Sequence, residues 1–301
     1  MSGGHREAKA RKSVTLLSLA AKKAANEPIV MVTAYDYPSA RIADEVGVDL
    51  VLVGDSAANV VLGYDSTVPV TVEEMLVLTR AVRRGLQSAL LVADLPFGSY
   101  EASDAAAVRT AQRFVKEGGA DAVKLERGGT SVDRARAVIQ AGIPVMGHVG
   151  LTPQAATALG GYRVQGRTAG QAERLIHDAL ELQAVGCFAI VLEAVPAAVT
   201  ELLVPRLTCV VIGIGAGGAT DGQVLVWHDL LGLSSGHRAK FVRQFADLRA
   251  EAIRGLSAYA AAVRQREFPG PEHTYAIPPD ELDDLRTRLA VDATPGTLDS
   301  V

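Results

Sequence analysis

The run Val48-Asp49-Leu50-Val51-Leu52-Val53 followed by Gly54-Asp55-Ser56 decides the reading of the fold. A strand covered on both faces is apolar throughout rather than alternating, as strands of an all-parallel sheet are. VDLVLV reads that way apart from Asp49, and so do Ala89 to Ala93 and Phe188 to Leu192. Working outward, similar runs lie at Ile29 to Thr33, Ala120 to Leu125, Ile143 to Gly147, Thr208 to Ile214 and Val224 to Trp227. Longer Ala-, Glu- and Arg-rich amphipathic stretches separate them, the alternation that builds a parallel sheet with crossover helices. Eight strands with helices between them predict an α/β fold of the closed (β/α)8, or TIM barrel, kind. An open doubly wound sheet is the alternative if the strand count is off by one.

Bulk composition narrows the function. The chain has 301 residues, 49% of them hydrophobic, a length that α/β barrels reach as one domain. A formal charge of −4 argues against nucleic acid or an anionic membrane as partner. No apolar stretch approaches the roughly 18 residues of a membrane span, and no secretory signal is evident, so a soluble, cytoplasmic protein is expected. Cys187 and Cys209 sit in apolar runs and read as small buried hydrophobes. Residues 1–14 read as a mobile tail and 15–275 as the barrel with C-terminal helices. The helical pattern from Lys240 to Arg266 stops before Phe268-Pro269-Gly270, and 276–301 reads as a loose appendage.

In such a barrel the C-terminal ends of the strands line the active-site mouth. Asp55 follows the second run, Asp94 the third, Glu126 the fourth, His148 the fifth and Glu193 the sixth. One aspartate after a strand is an ordinary helix cap. Four carboxylates converging on one mouth repel each other unless a cation offsets them. Asp55, Asp94 and Glu126 offer hard oxygens without cysteine or clustered histidine, which favours Mg²⁺, with one carboxylate able to act through water. Such an ion suits a small 2-oxo acid, whose carboxylate and keto oxygens chelate it, polarising the carbonyl and stabilising an enolate.

Lys124 lies two residues before Glu126, so both point into the barrel. It can bind substrate as a cation or form a Schiff base. Glu193, between Phe188 to Leu192 and Ala194-Val195-Pro196, is the expected general base, its pKa raised by an apolar setting; a cap or ion pair is the plainer alternative. His148 is a substrate or metal contact or a structural rim residue, and Ser56 a carboxylate donor or a turn residue. The glycines at 213, 215, 217 and 218 lack G-x-G-x-x-G spacing and suit close backbone approach instead of a dinucleotide. His177 and His228 receive no role.

The strings VTAYDYPSARIADEVGVDLVLVGDS, VVLGYDSTVPVT, ADLPFGSY, AVKLE, GIPVMGHVGLTPQ, GGYRVQGR, VLEAVP, IGIGAGGATDGQVLVWHDLLGL and KFVRQF, in unbroken order from about Thr15 to Tyr275, resemble the ketopantoate hydroxymethyltransferase family. The resemblance implies a barrel of the phosphoenolpyruvate mutase/isocitrate lyase type assembled as a homodecamer. It implies Mg²⁺ at Asp55, Asp94 and Glu126, the oxo acid bound by Asp55, Ser56, Asp94 and Lys124, and Glu193 as proton acceptor. The implied reaction carries a hydroxymethyl group from 5,10-methylenetetrahydrofolate to 3-methyl-2-oxobutanoate through a Mg²⁺-stabilised enolate, giving 2-dehydropantoate for pantothenate and coenzyme A. Arg127, Ala57-Ala58-Asn59, Leu78 and Gly217-Gly218 depart from the usual residues. They leave room for a related metal-dependent oxo-acid lyase or mutase, or for a catalytically silent oxo-acid-binding paralogue. Lyases and mutases of that kind carry a lid-loop cysteine, and no such cysteine is found here.

Overall fold

The computed structural model describes residues 12–126, 130–155, 161, 163–236 and 239–292. Two compact units emerge, Met1–Asp247 and Leu248–Val301. The first is a closed, all-parallel barrel in which each strand pairs with the next and the eighth with the first.

In chain order the elements are α1 (Leu16–Ala24), β1 (Ile29–Thr33), α2 (Tyr37–Val46), β2 (Leu50–Val53), α3 (Ala57–Val60), α4 (Val72–Gly85) and β3 (Leu90–Asp94). Then come α5 (Asp104–Lys116), β4 (Ala122–Glu126), α6 (Ser131–Gln140), β5 (Val145–Gly150), α7 (Ala169–Ala184), β6 (Ala189–Glu193), α8 (Ala197–Leu203), β7 (Val210–Ile214), β8 (Gly222–Leu225) and α9 (Trp227–Leu230). Local chemistry starts the helices where they start. Asp36, Thr71 and Thr168 each accept from the backbone three residues on, and Ser39, Glu74 and Gln171 return the bond. Gly47, at φ 80°, ends α2 in the left-handed conformation glycine favours.

The pleat splits the strand side chains into two cores. Val51, Val53, Leu91, Ala93, Val123, Leu125, Ile190 and Leu192 point outward against the helices. Leu50, Leu52, Leu90, Val92, Ala122, Met146, Ala189, Val191, Val210 and Ile212 fill the barrel interior, as side-chain layers do in this fold. Leu19 of α1 joins that interior core fully buried, with Val14 and Leu16 packed against it, so the N-terminal helix closes the floor. Lys22 and Lys23 fix α1 by ion pairs to Asp49 (2.5 Å) and Asp221 (2.7 Å).

Every strand but β1 has limits that differ from the sequence reading, and Asp94, Glu126 and Glu193 are the last residues of β3, β4 and β6 rather than following them. β5 runs on to Gly150, so His148 lies inside the ladder, paired in register with Glu126 and Val191, rather than after it. β8 spans Gly222–Leu225, leaving Trp227 to open α9. The second unit holds α10 (Leu248–Arg264), a 3₁₀ turn at Pro271–His273 and α11 (Pro279–Asp292). Within the segment expected to be loose, α11 begins at Pro279, where a missing N–H costs a helix nothing, with Asp280 and Glu281 in its first turn. Residues 1–11 and 293–301, and with them most of the expected tail and the last part of the appendage, lie outside the described residues. Among the described residues no helix is long and apolar enough to cross a membrane.

Because Leu19 plugs the interior far from the carboxylate end, Leu19→Ala should lower the unfolding free energy by about 2–5 kcal/mol, the usual cost of such a cavity. Urea denaturation measures this, and unchanged stability would show that α1 does not hold the floor.

Candidate functional site

Strand parity and register assemble the site. Asp94, Lys124, Glu126 and His148 share the interior parity of the apolar layers below them, at the C-terminal ends of β3, β4 and β5. The ladder sets Lys124 beside Asp94, His148 beside Glu126, and Glu193 beside Gly150 and Ile214. Asp55 and Ser56 follow β2 directly. All seven residues named from the sequence (Asp55, Ser56, Asp94, Lys124, Glu126, His148 and Glu193) line one cavity of about 210 Å³. Its wall also includes Leu52, Val191, Ile214 and Val224 from the barrel core.

The charges are buried and partly matched. Lys124 Nζ lies 2.6 Å from Asp94 Oδ1, with both side chains about one-twentieth exposed or less. Burial opposes the lysine's charge, but Asp94, Glu126 and Asp55 outweigh it and hold the ammonium well above its ordinary pKa. His148 stands between two carboxylates, Nδ1 3.6 Å from Glu126 and Nε2 3.2 Å from Glu193. Burial and Lys124 lower its pKa, yet hydrogen bonding and charge from Glu126 and Glu193 lift it to about 9. Glu193 is the most open of the group at 17% side-chain exposure. Its surroundings are therefore not simply apolar, because a histidine faces it.

Asp55 is pushed up to about 8 by burial first and then by the Asp94 and Glu126 carboxylates, against the opposing pull of Lys124 and Gln154. Glu126 Oε1 is buried with no hydrogen-bond partner. Like charges held together out of water, with an acceptor oxygen left over, fit a hard divalent cation. Asp55, Asp94 and Glu126 do not all bring oxygens within 4.8 Å of one another, which leaves space for a water between an ion and at least one of them. Among the described residues only His177, Asp178 and Glu181 meet that spacing, on the outer side of α7, where His177 is exposed.

Several site residues carried no sequence signal. Tyr35 is buried, and its hydroxyl meets Ser56 Oγ at 2.8 Å. Thr67 lines the cavity with a buried, unpartnered hydroxyl. Gln154 Nε2 donates to Asp55 Oδ2 at 2.9 Å, and its backbone N–H to Glu126 Oε2 at 3.0 Å. Thr67 and Gln154 stand in the strings VVLGYDSTVPVT and GIPVMGHVGLTPQ, several residues beyond the ends of β2 and β5.

Of the described departures, Asn59 lines the cavity, and Ala57, Ala58, Leu78, Gly217 and Gly218 do not. Ala57 and Ala58 are buried in the outer core, and Leu78 packs against it. Arg127 lies outside the described residues. Neither cysteine lines the cavity, and burial pushes both thiols up, Cys187 to about 12 and Cys209 to about 11, the opposite of an activated nucleophile. In the glycine-rich turn Gly215, at φ 64°, lies where a Cβ would stand 2.5 Å from the Phe241 ring, so close approach is its use.

Comparison with known proteins agrees with this geometry. A family model described as ketopantoate hydroxymethyltransferase matches residues 13–271. The 3-methyl-2-oxobutanoate hydroxymethyltransferase of Moorella thermoacetica is 54% identical over 265 residues, covering 88% of this chain and 98% of its own. That of Deinococcus radiodurans is 53% identical over 259 residues, covering 86% and 91%. Among solved structures, phosphonopyruvate hydrolase with oxalate and Mg²⁺ superposes with TM-score 0.55 at 13% identity, covering 93% of this chain and 97% of that one. A 2,3-dimethylmalate lyase, titled a member of the PEP mutase/isocitrate lyase superfamily, gives 0.53 at 16%, covering 96% and 99%. The barrel is thus of that superfamily's fold.

Gly150 tests how the β6 end is held. It sits at φ 100°, and a Cβ there would come 2.2 Å from the Glu193 carbonyl oxygen. Gly150→Ala should lower Tm by ~4–8 °C, from ~2 kcal/mol of backbone strain in a chain of this size. The displaced Glu193 backbone should also reduce turnover. A variant with wild-type Tm and turnover would refute the constraint.

Proposed function

Because the chain belongs to the ketopantoate hydroxymethyltransferase family, we propose that it transfers a hydroxymethyl group from 5,10-methylenetetrahydrofolate to 3-methyl-2-oxobutanoate. The observation that carries this reading is one small cavity, lined by a partly exposed glutamate, three buried carboxylates and a buried lysine. Asp55, Asp94 and Glu126 would hold Mg²⁺, which when bound supplies a Lewis acid for the 2-oxo group.

The chain's own groups divide the remaining work. Lys124, held charged by its carboxylate neighbours, suits the substrate carboxylate and not a Schiff base, which requires a neutral amine. Ser56 can donate to the same carboxylate, with Tyr35 fixing its hydroxyl. Leu52, Val191, Ile214 and Val224 offer an apolar wall to the branched alkyl end. Glu193 takes the proton from C3 of the oxo acid. The electron pair left on C3 then forms the new bond to the folate one-carbon unit as one of that carbon's two bonds to nitrogen breaks. Water displaces the second nitrogen and supplies the hydroxyl oxygen, and the proton taken from C3 and one from water go to the two freed nitrogens, giving 2-dehydropantoate and tetrahydrofolate. His148, charged between Glu126 and Glu193, keeps the base oriented and offsets negative charge between it and the ion's ligands. The same reading extends to a homodecamer working in the cytoplasm in pantothenate synthesis. A lyase using a cysteine acid is disfavoured because the buried Cys187 and the partly buried Cys209 both lie away from the cavity with thiols pushed up rather than activated.

Proton exchange at C3 tests the chemistry without folate. Wild-type protein with Mg²⁺ in deuterium oxide should exchange the C3 proton of 3-methyl-2-oxobutanoate, followed by NMR. Glu193→Gln should slow exchange about 10²–10⁴-fold, the usual contribution of a positioned base. No exchange by wild type would sink the enzymatic reading, and full exchange by Glu193→Gln would sink the base assignment. Asp94→Ala should abolish Mg²⁺-dependent turnover, and retained turnover would remove Asp94 from the ligand set.

A further inference from the structure

Gln154 is buried in the 3₁₀ turn Pro153–Ala155 that follows β5, and all of its hydrogen-bonding groups but its own carbonyl have defined partners. Its Nε2 donates to Asp55 Oδ2 at 2.9 Å and to the Leu95 carbonyl at 3.0 Å. Its Oε1 accepts from the Tyr100 hydroxyl at 2.8 Å, and its backbone N–H donates to Glu126 Oε2 at 3.0 Å. The amide orientation follows from these partners. A flipped amide would face its oxygen to the Leu95 carbonyl, which carries no proton to give. Neither Gln154 nor Tyr100 lines the cavity, so neither is placed to touch the substrate.

One neutral residue therefore ties together two carboxylates from strands that are not neighbours, Asp55 after β2 and Glu126 on β4. In each it occupies one oxygen and leaves the other unclaimed by Gln154; in Glu126 that other oxygen, Oε1, makes no hydrogen bond and faces His148 Nδ1 at 3.6 Å. We propose that Gln154, oriented by Tyr100, is a positioning residue that presets Asp55 and Glu126 for a divalent cation. The proposal rests on the assignment of these carboxylates to the metal. A lysine or arginine at this position would compete with the ion for the same oxygens, whereas an amide directs them without neutralising them. The side-chain amide holds Asp55 and the backbone N–H holds Glu126, so losing the amide frees Asp55 to rotate and to pair elsewhere and loosens the turn that carries the Glu126 donor.

Titration of the full-length protein with Mn²⁺, with free ion read by electron paramagnetic resonance, separates positioning from folding. Gln154→Leu, close in volume but without the side-chain amide that reaches Asp55, should raise the Mn²⁺ dissociation constant about 10–100-fold, as loss of groups behind metal ligands does. Tyr100→Phe should raise it by a smaller factor. A lower Tm of the metal-free Gln154→Leu protein with wild-type Mn²⁺ affinity would overturn the proposal, since that is what a purely structural residue gives. If Gln154→Leu does not fold, Tyr100→Phe decides, and unchanged Mn²⁺ affinity there overturns it. Wild-type protein that takes up no Mn²⁺ would overturn the metal assignment and this inference together, an outcome distinct from a binding wild type with unaffected variants.

Discussion

Carboxylates crowded above a hydrocarbon floor are the constraint around which the rest of this molecule is arranged. Leu50, Val92, Ala122, Ala189 and Ile212 fill the barrel directly beneath Asp94, Lys124, Glu126 and His148, and Leu19 seals the bottom. Water is therefore kept from one side of the charges, and each unpaired carboxylate is costly there. The barrel answers with one lysine against Asp94, one histidine between Glu126 and Glu193, and one amide on Asp55. Asp55 still rises to about 8, and a divalent cation is what that residual repulsion calls for.

Much of this was legible in the sequence because burial on both faces writes a parallel strand as an apolar run, and the first polar residue then marks the mouth. Asp55, Asp94 and Glu126 were found by that rule alone. The rule misplaces His148, because a polar residue inside the ladder looks like a strand end. β5 in fact continues to Gly150, where the ladder needs a residue without a side chain beside Glu193. The floor helix was not legible: its sequence, LLSLAAKKA, buries only Leu19 and is fixed by ion pairs to residues far along the chain. Gln154 and Tyr100 escaped for a related reason. They carry no charge, and their bonds join positions 54 and 99 residues apart, a distance no local pattern reports.

The division between base and metal ligands also has a structural cause. Lys124 and Asp94 are held by register within adjoining strands and are almost wholly buried. Glu193 is the last residue of β6 and keeps 17% of its side chain exposed, which suits the proposed role of a base that accepts a proton and releases it to solvent. The chain turns immediately after it. Ala194 takes φ 49°, a left-handed conformation that costs a non-glycine residue about 1–3 kcal/mol. That strain is held by three backbone bonds around the turn, from Leu151 to the Glu193 carbonyl, from Gln165 to the Ala194 carbonyl, and from Ala194 to the Ile214 carbonyl.

Those bonds come from three different elements or loops, so the base end of β6 is clamped from the β5 loop, from the segment before α7 and from β7 at once. The metal side is braced in the same manner, since Gln154 belongs to the loop that follows Leu151. A single short stretch, from Gly150 to Gln154, thus reaches the backbone of Glu193 at one end and the Asp55 and Glu126 carboxylates at the other. The backbone of the proposed base and two of the proposed metal ligands therefore share one support. For the proposed reaction, in which a proton leaves C3 while the adjacent 2-oxo group is polarised, a shared support limits how far the two sides of the site can drift apart.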